Sequence, residues 1–208
     1  MPAQPEFQWF APDQNPWGVR LLDVRPVTFT MISTSSDPQC AVNAMSFGRD
    51  NGANFIGAQP VVQRTVAISL RYRKPDSLAD GALFRPSKME HKWALFYLQS
   101  KILCVRSWQR QVFAVAETED HGEFLDVVRI HGAFDEEQES QDYTARFFDF
   151  LMRSHALGVE WPAPLPPGDE LGDWRAAMWC FSCFGNMASC ATPDTPPISV
   201  PDEILRTS

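Results

Sequence analysis

Two short stretches of this chain gather the residue types that hold anions. In RPSKMEHK, Arg85, Lys88, His91 and Lys92 fall within eight residues, and in VRSW, Arg106 and Trp108 are two apart. Guanidinium groups grip carboxylate and phosphate oxygens through paired N–H donors. A cation over an indole gains about 0.5–1 kcal/mol at an exposed position. If the two stretches meet, their chemistry is recognition of a small anionic ligand. The alternative is a sheet edge whose Lys and Arg discourage aggregation.

Other patterns carry less chemistry. Cys180-Phe-Ser-Cys183 has the spacing of a redox pair or half a zinc site. A zinc centre needs two more ligands, and only Cys190 follows nearby, without a histidine. The pair falls inside a run of Trp, Met and Phe, which marks both cysteines as core residues. None of His91, His121, His131 and His155 has the i, i+4 partner of a helical metal site. His121 sits among the acids of ETEDHGE, which favours its charged form, although an exposed turn histidine is the plainer reading. His131 ends a strand, and His155 ends a helix where a positive charge complements the dipole. The chain has no G-x-S-x-G or S-x-x-K set, and GRDNGANFIG matches neither glycine-rich phosphate loop. The sequence therefore implies no metal, no cofactor and no recognisable catalytic motif.

Charge is unevenly spread. From Arg64 to Arg110 there are ten Lys or Arg against three acids, a balance of +7. From Glu117 to Asp142 there are ten acids against Arg129, a balance of -9. One reading is that the two blocks pair off as neighbouring surfaces. The other is that the basic block lines an anion-binding face while Glu136, Glu137 and Glu139 face a basic protein partner. The net charge of -8 over 208 residues opposes general affinity for nucleic acid or anionic membranes. No apolar run reaches the roughly 18–20 residues of a membrane span. The start of the chain lacks the basic and apolar regions of a secretory signal, and five scattered cysteines do not form a disulfide framework. A reducing cytoplasm is the expected compartment.

These residues need elements to position them. TVAISLRY alternates as a strand, and VRLLDV and VTFTMI read as β-rich runs bent at Arg25-Pro26. Asp37-Pro38 starts a short helix, and Asn51-Gly52 marks a turn. RKPDSLADGALFRPSK, with Pro75, Gly81 and Pro86, reads as a loop. Trp93–Leu98 and Ile102–Ser107 then form a hairpin across Gln99-Ser100-Lys101, with Leu98 opposite Ile102 and Ala94 opposite Arg106. That register puts Lys92 beside Arg106 and across from Trp108. Both hairpin faces are apolar near the turn, so the sheet is covered on both sides there. VFAVAE and FLDVVRIHGAF continue a meander through a turn at Gly122.

Two helices follow. SQDYTARFFDFLMRSHALG places Tyr143, Phe147, Phe150 and Leu151 on one stripe, with Ser140 as its cap and Gly158 beyond its end. A proline-rich extended segment leads to DELGDWRAAMWCFSCFGNMA, with Asp169 or Asp173 as its cap. This second helix is apolar almost all round past Arg175, so it is buried or covers a partner. The expected fold is α+β: a mainly antiparallel meander with two C-terminal helices packed on it. Residues 1–18 form an extended arm, 19–191 a single domain and 192–208 a tail.

The stretch MEHKWALFYLQSKILCVRSW resembles a segment of bacterial proteins of unknown function, in which a KW strand precedes a strand ending in RSWTG. Lys92-Trp93 and Arg106-Ser107-Trp108 match, and Gln109-Arg110 stands in place of Thr-Gly. The resemblance covers about 20 residues and brings no activity with it. It implies a bacterial cytoplasmic origin and a hairpin end that does more than pack. The function expected is that of a non-enzymatic interaction protein, such as an immunity-type accessory protein, with the acidic segment facing a basic partner. The alternative is an enzyme or small-ligand binder that holds a phosphate or carboxylate at Arg85, Lys88, His91, Lys92, Arg106 and Trp108.

Overall fold

The computed structural model describes residues 6–135, 139–167 and 171–208. Ten strands lie among them: β1 (Trp9–Phe10), β2 (Leu21–Asp23), β3 (Thr65–Arg73), β4 (Gly81–Phe84), β5 (Trp93–Leu98), β6 (Lys101–Arg106), β7 (Gln111–His121), β8 (Phe124–Gly132), β9 (Ala163–Pro164) and β10 (Cys190–Thr192). They form a six-stranded sheet in the order β3-β8-β7-β6-β5-β4 and a four-stranded sheet in the order β1-β2-β10-β9. All pairs are antiparallel except β9 with β10. Four α-helices complete the α+β fold: α1 (Arg25–Thr28), α2 (Pro38–Met45), α3 (Gln141–Leu151) and α4 (Asp173–Phe184).

The hairpin of β5 and β6 forms with a register one residue away from the expected one. Leu98 pairs with Lys101 and Trp93 with Arg106. The loop is only Gln99 and Ser100, both left-handed at φ +51° and +57°. Two positive φ values make the tight turn whose twist suits a hairpin. A one-residue slip exchanges the faces of one strand relative to the other. Trp93, Leu95 and Tyr97 therefore share a core with Ile102 and Cys104 on the side of α3 and α4. Ala94, Phe96 and Leu98 share the other core with Leu103 and Val105, under Phe47 and Phe55. The sheet is covered on both faces, as its two apolar patterns require.

The expected helix signals operate. Asp37 accepts from the backbone N–H of Gln39 at the start of α2, and Ser140 accepts from Tyr143 at the start of α3. Tyr143, Phe147, Phe150 and Leu151 are all buried. α3 runs on into a wider π turn over Met152–Ala156. α4 starts differently: Gly172 precedes it, Asp173 is its first residue without a side-chain cap, and Asp169 lies outside the described residues.

Two local readings are corrected. VTFTMI is not a strand, because Pro26 presets a helical φ at the start of α1. GALF is not loop: Gly81–Phe84 forms edge strand β4, and Pro86 lies just beyond it where no ladder bond is needed. The arm and the tail both dock on the body. β1 pairs with β2, Leu205 is fully buried, and the Ser208 N–H donates to the Ala82 carbonyl at 2.9 Å.

Candidate functional site

The basic corner assembles, but its donors turn inward. Arg106 donates to the carbonyls of Ser182 (2.6 Å) and Cys183 (2.9 Å), and Trp93 Nε1 donates to the same Cys183 carbonyl at 2.7 Å. The guanidinium thus satisfies the last turn of α4, where a cation also meets the negative end of the helix dipole. Lys92 is buried, donates to Ser33 Oγ at 2.6 Å and lies over the rings of Trp108 (4.0 Å) and Phe181 (5.2 Å). Burial, with the Arg106 charge adding to it, lowers its pKa to about 8. Trp108 Nε1 donates to the Met89 carbonyl.

The other corner residues separate. Arg85 points to the Asp50 carbonyl and to Ser208. His91 accepts from the Ser87 N–H, and burial with nearby Lys88 lowers its pKa to about 4. Lys88 itself is exposed. The structure therefore joins Lys92, Arg106 and Trp108, keeps His91 neutral beside them, and directs Arg85 elsewhere.

Three acids of the acidic block pair with cations of the basic one. Arg71 pairs with Asp126 at 2.6 Å, Lys74 with Asp120 at 2.9 Å and Arg64 with Glu139 at 3.7 Å. The Glu139 side chain turns into the fold. It is 8% exposed and accepts from the N–H groups of Phe134 and Asp135 and from the Thr144 hydroxyl. These donors hold the turn into α3, which explains its inward direction. Glu136 and Glu137 lie outside the described residues.

The remaining reactive types are structural. Burial pushes the Cys183 and Cys190 thiols up to about 12 and raises Cys104 and Cys180 as well. His131 lies between Thr65 and Glu117 (3.0 and 2.8 Å), and exposed His121 lies near Glu119 and Asp126. His155 is not a charged dipole partner, because burial lowers its pKa to about 3. Among the described residues no group of three His, Cys, Asp or Glu is placed to hold a metal, and no helix is long and apolar enough to cross a membrane.

A different site emerges on α4. Its Ala176, Ala177, Cys180, Phe181 and Phe184 face the core. Its opposite face contributes Trp174, Arg175, Met178 and Trp179 to the wall of an open cavity of about 830 Å³, which Tyr143, Glu139 and Ser140 also line. This volume lies in the range that encloses small molecules. Tyr143 is only 2% exposed; among the described residues neither its hydroxyl nor Trp179 Nε1 has a hydrogen-bond partner, and both atoms are shut off from the open space of the cavity. Each such orphan costs about 1–3 kcal/mol. Burial raises the Tyr143 pKa, so the hydroxyl remains a neutral donor. Arg175 is exposed and makes no ion pair among the described residues. Trp174 is 48% exposed and meets Phe7 edge-on at 6.4 Å.

Sequence reasoning assigned Tyr143 to the core stripe and did not single out this cavity. The available signal was α4 itself, whose apolar residues exceed what one core face needs. No family model matches the chain, and no curated protein and no solved structure is similar to it.

Proposed function

We propose that this chain is a non-enzymatic binding protein and that its binding site is the cavity on α4. The observation that carries the reading is a cavity of about 830 Å³ whose wall brings Trp174, Met178, Trp179 and Leu171 together with the exposed Arg175. The reading keeps the binding class expected from the sequence and moves the site away from the basic corner, whose donors already serve α4 and the chain's own carbonyls. It also supports a small ligand over a basic protein partner, since Glu139 is engaged inside the fold.

The test is a fragment screen by ligand-observed NMR, using wild type and two cavity-filling variants, Met178→Trp and Leu171→Trp. Expected are hits that bind wild type and disappear in both variants while the melting temperatures stay close. Hits that survive both variants, or no hits with wild type, would overturn the proposal.

A further inference from the structure

Resting on that cavity reading, we propose that the site takes a neutral oligosaccharide, laid along a groove of which the cavity is one end. Among the described residues two smaller cavities adjoin it. One of about 420 Å³ shares Pro166 and Leu171 with it and adds Trp9, Arg20 and Asp173. The other, of about 550 Å³, shares Trp9 and Arg20 with the second and runs along Phe10 and Pro12. The first turn of α4 and the arm at residues 9–12 thus line one depression, and Trp9 Nε1 ties them by donating to Asp173 at 3.0 Å. A chain of small repeating units fits a row of adjoining cavities better than a compact ligand does.

The charges of the wall select a neutral ligand. Asp135, Glu139 and Asp173 stand against Arg20 and Arg175, so a ligand of either sign meets its own sign there. Glu139 is engaged with Arg64 and Arg20 with Asp194, which leaves little net field at the groove. Hydroxyl groups both donate and accept, so they match carboxylate, guanidinium and the exposed Ser182 hydroxyl without bringing charge.

The aromatic residues point to sugar rings. Tryptophan is largely buried on average, yet Trp174 and Trp9 are 48% and 41% exposed. Apolar groups gathered at the surface and rimmed by polar ones mark an interaction site. The C–H face of a pyranose covers an indole while its hydroxyls turn to the polar rim. Proline-rich peptides also dock on aromatic grooves, but their carbonyl oxygens seek donors beside the rings. Here Trp9 Nε1 is spent on Asp173, and Trp179 Nε1 is shut off from the cavity. Ring surface is offered and ring N–H is withheld, which suits stacked sugars over peptide carbonyls.

The probes are cellohexaose, xylohexaose, maltohexaose and N-acetylchitohexaose, titrated by calorimetry and tryptophan fluorescence. At least one should bind, and the disaccharide of the same linkage should bind at least tenfold more weakly, because it spans only part of the groove. Trp174→Ala should weaken the hexasaccharide about tenfold or more, as loss of an aromatic anchor does, while Trp174→Phe, which keeps a ring, should retain most of the affinity. Affinity should hold constant between about 0.05 and about 0.5 M salt, since screening acts on charged ligands. No binding by any of the four, or binding indifferent to Trp174→Ala, would overturn the proposal. Fragment hits that vanish in the cavity-filling variants would in that case leave the cavity as a binding site for another class. Decaproline bound by wild type and lost in Trp174→Ala, with no sugar bound, would replace the sugar with a peptide. A hexasaccharide no tighter than its disaccharide would confine the ligand to one cavity and end the extended groove.

Discussion

The Tyr72 hydroxyl donates a 2.8 Å hydrogen bond to Asp149, joining β3 to α3 in the interior. The other Asp149 oxygen accepts from Arg153 Nε at 2.8 Å, and the Arg153 guanidinium lies 3.7 Å from the centre of the Trp161 ring. All of Tyr72, Asp149 and Arg153 are buried. Removing one partner from such a pair leaves an uncompensated charge, at a cost of about 3–5 kcal/mol. Asp149→Ala is therefore expected to lose that much stability in urea unfolding, and Tyr72→Phe about 1.5–3 kcal/mol for one charge-assisted bond. An Asp149→Ala variant within 1 kcal/mol of wild type would contradict this account.

His155 and His91 make the fold acid-sensitive. His155 meets Phe84 edge-on at 4.8 Å, and Phe84 meets His91 at 5.2 Å, so two neutral imidazoles flank one ring. Their pKa values of about 3 and about 4 lie below the 6.5 of an unfolded histidine. As pH falls below about 6.5, the unfolded chain takes up protons that the folded chain refuses, and stability drops until pH approaches the folded values. Thermal unfolding from pH 7 to 4 should show this loss. His155→Phe, which keeps a ring against Phe84 and Phe150, should flatten the profile.

Lys92 acts with the same sign in an alkaline window. Its pKa is about 8 when folded, against 10.5 for the ordinary side chain. Between those limits the unfolded state binds more protons, so stability rises with pH. Lys92→Met removes a buried cation and should be as stable as wild type or more so at pH 7. Wild type should gain on this variant as pH rises from 8 to 10.5, by on the order of 3 kcal/mol in total. Parallel profiles would exclude a depressed lysine.

Gly185 terminates α4 with φ +62°, and a Cβ there would lie 1.7 Å from the Glu90 carbonyl oxygen. Gly185→Ala therefore forces backbone apart between α4 and the segment before β5. Its cost should exceed about 3 kcal/mol, beyond the strain of the φ value alone. Soluble yield and melting temperature measure it, and a near-normal melting point would show that this junction yields easily.

The sequence displayed periodicity better than register. Strands β3, β5, β7 and β8 and the stripe of α3 follow from alternation and helical spacing, and the caps Asp37 and Ser140 from their side chains. The hairpin face of β6 did not, because Gln99 and Ser100 adopt left-handed backbone without the usual glycine or asparagine. β4 was hidden between prolines, and the four-stranded sheet joins runs of two or three residues too short to show a period. The Lys92–Trp108 contact was legible from nearness in a hairpin. The cavity was not, since its wall joins residues from three separate stretches of the chain.

The order of strands also divides the molecule in time. From β4 to β8, every neighbour in the large sheet is the next strand along the chain, so these ladders close through short loops. The small sheet instead joins β2 to β10, with Leu22 opposite Ala191. Its closure waits for β10 to emerge during synthesis, long after β2, and such distant pairings form slowly. Pro166 and α4 lie between β9 and β10, so the cavity they line matures with that late step. A nascent chain would carry a folded meander well before this cavity takes shape.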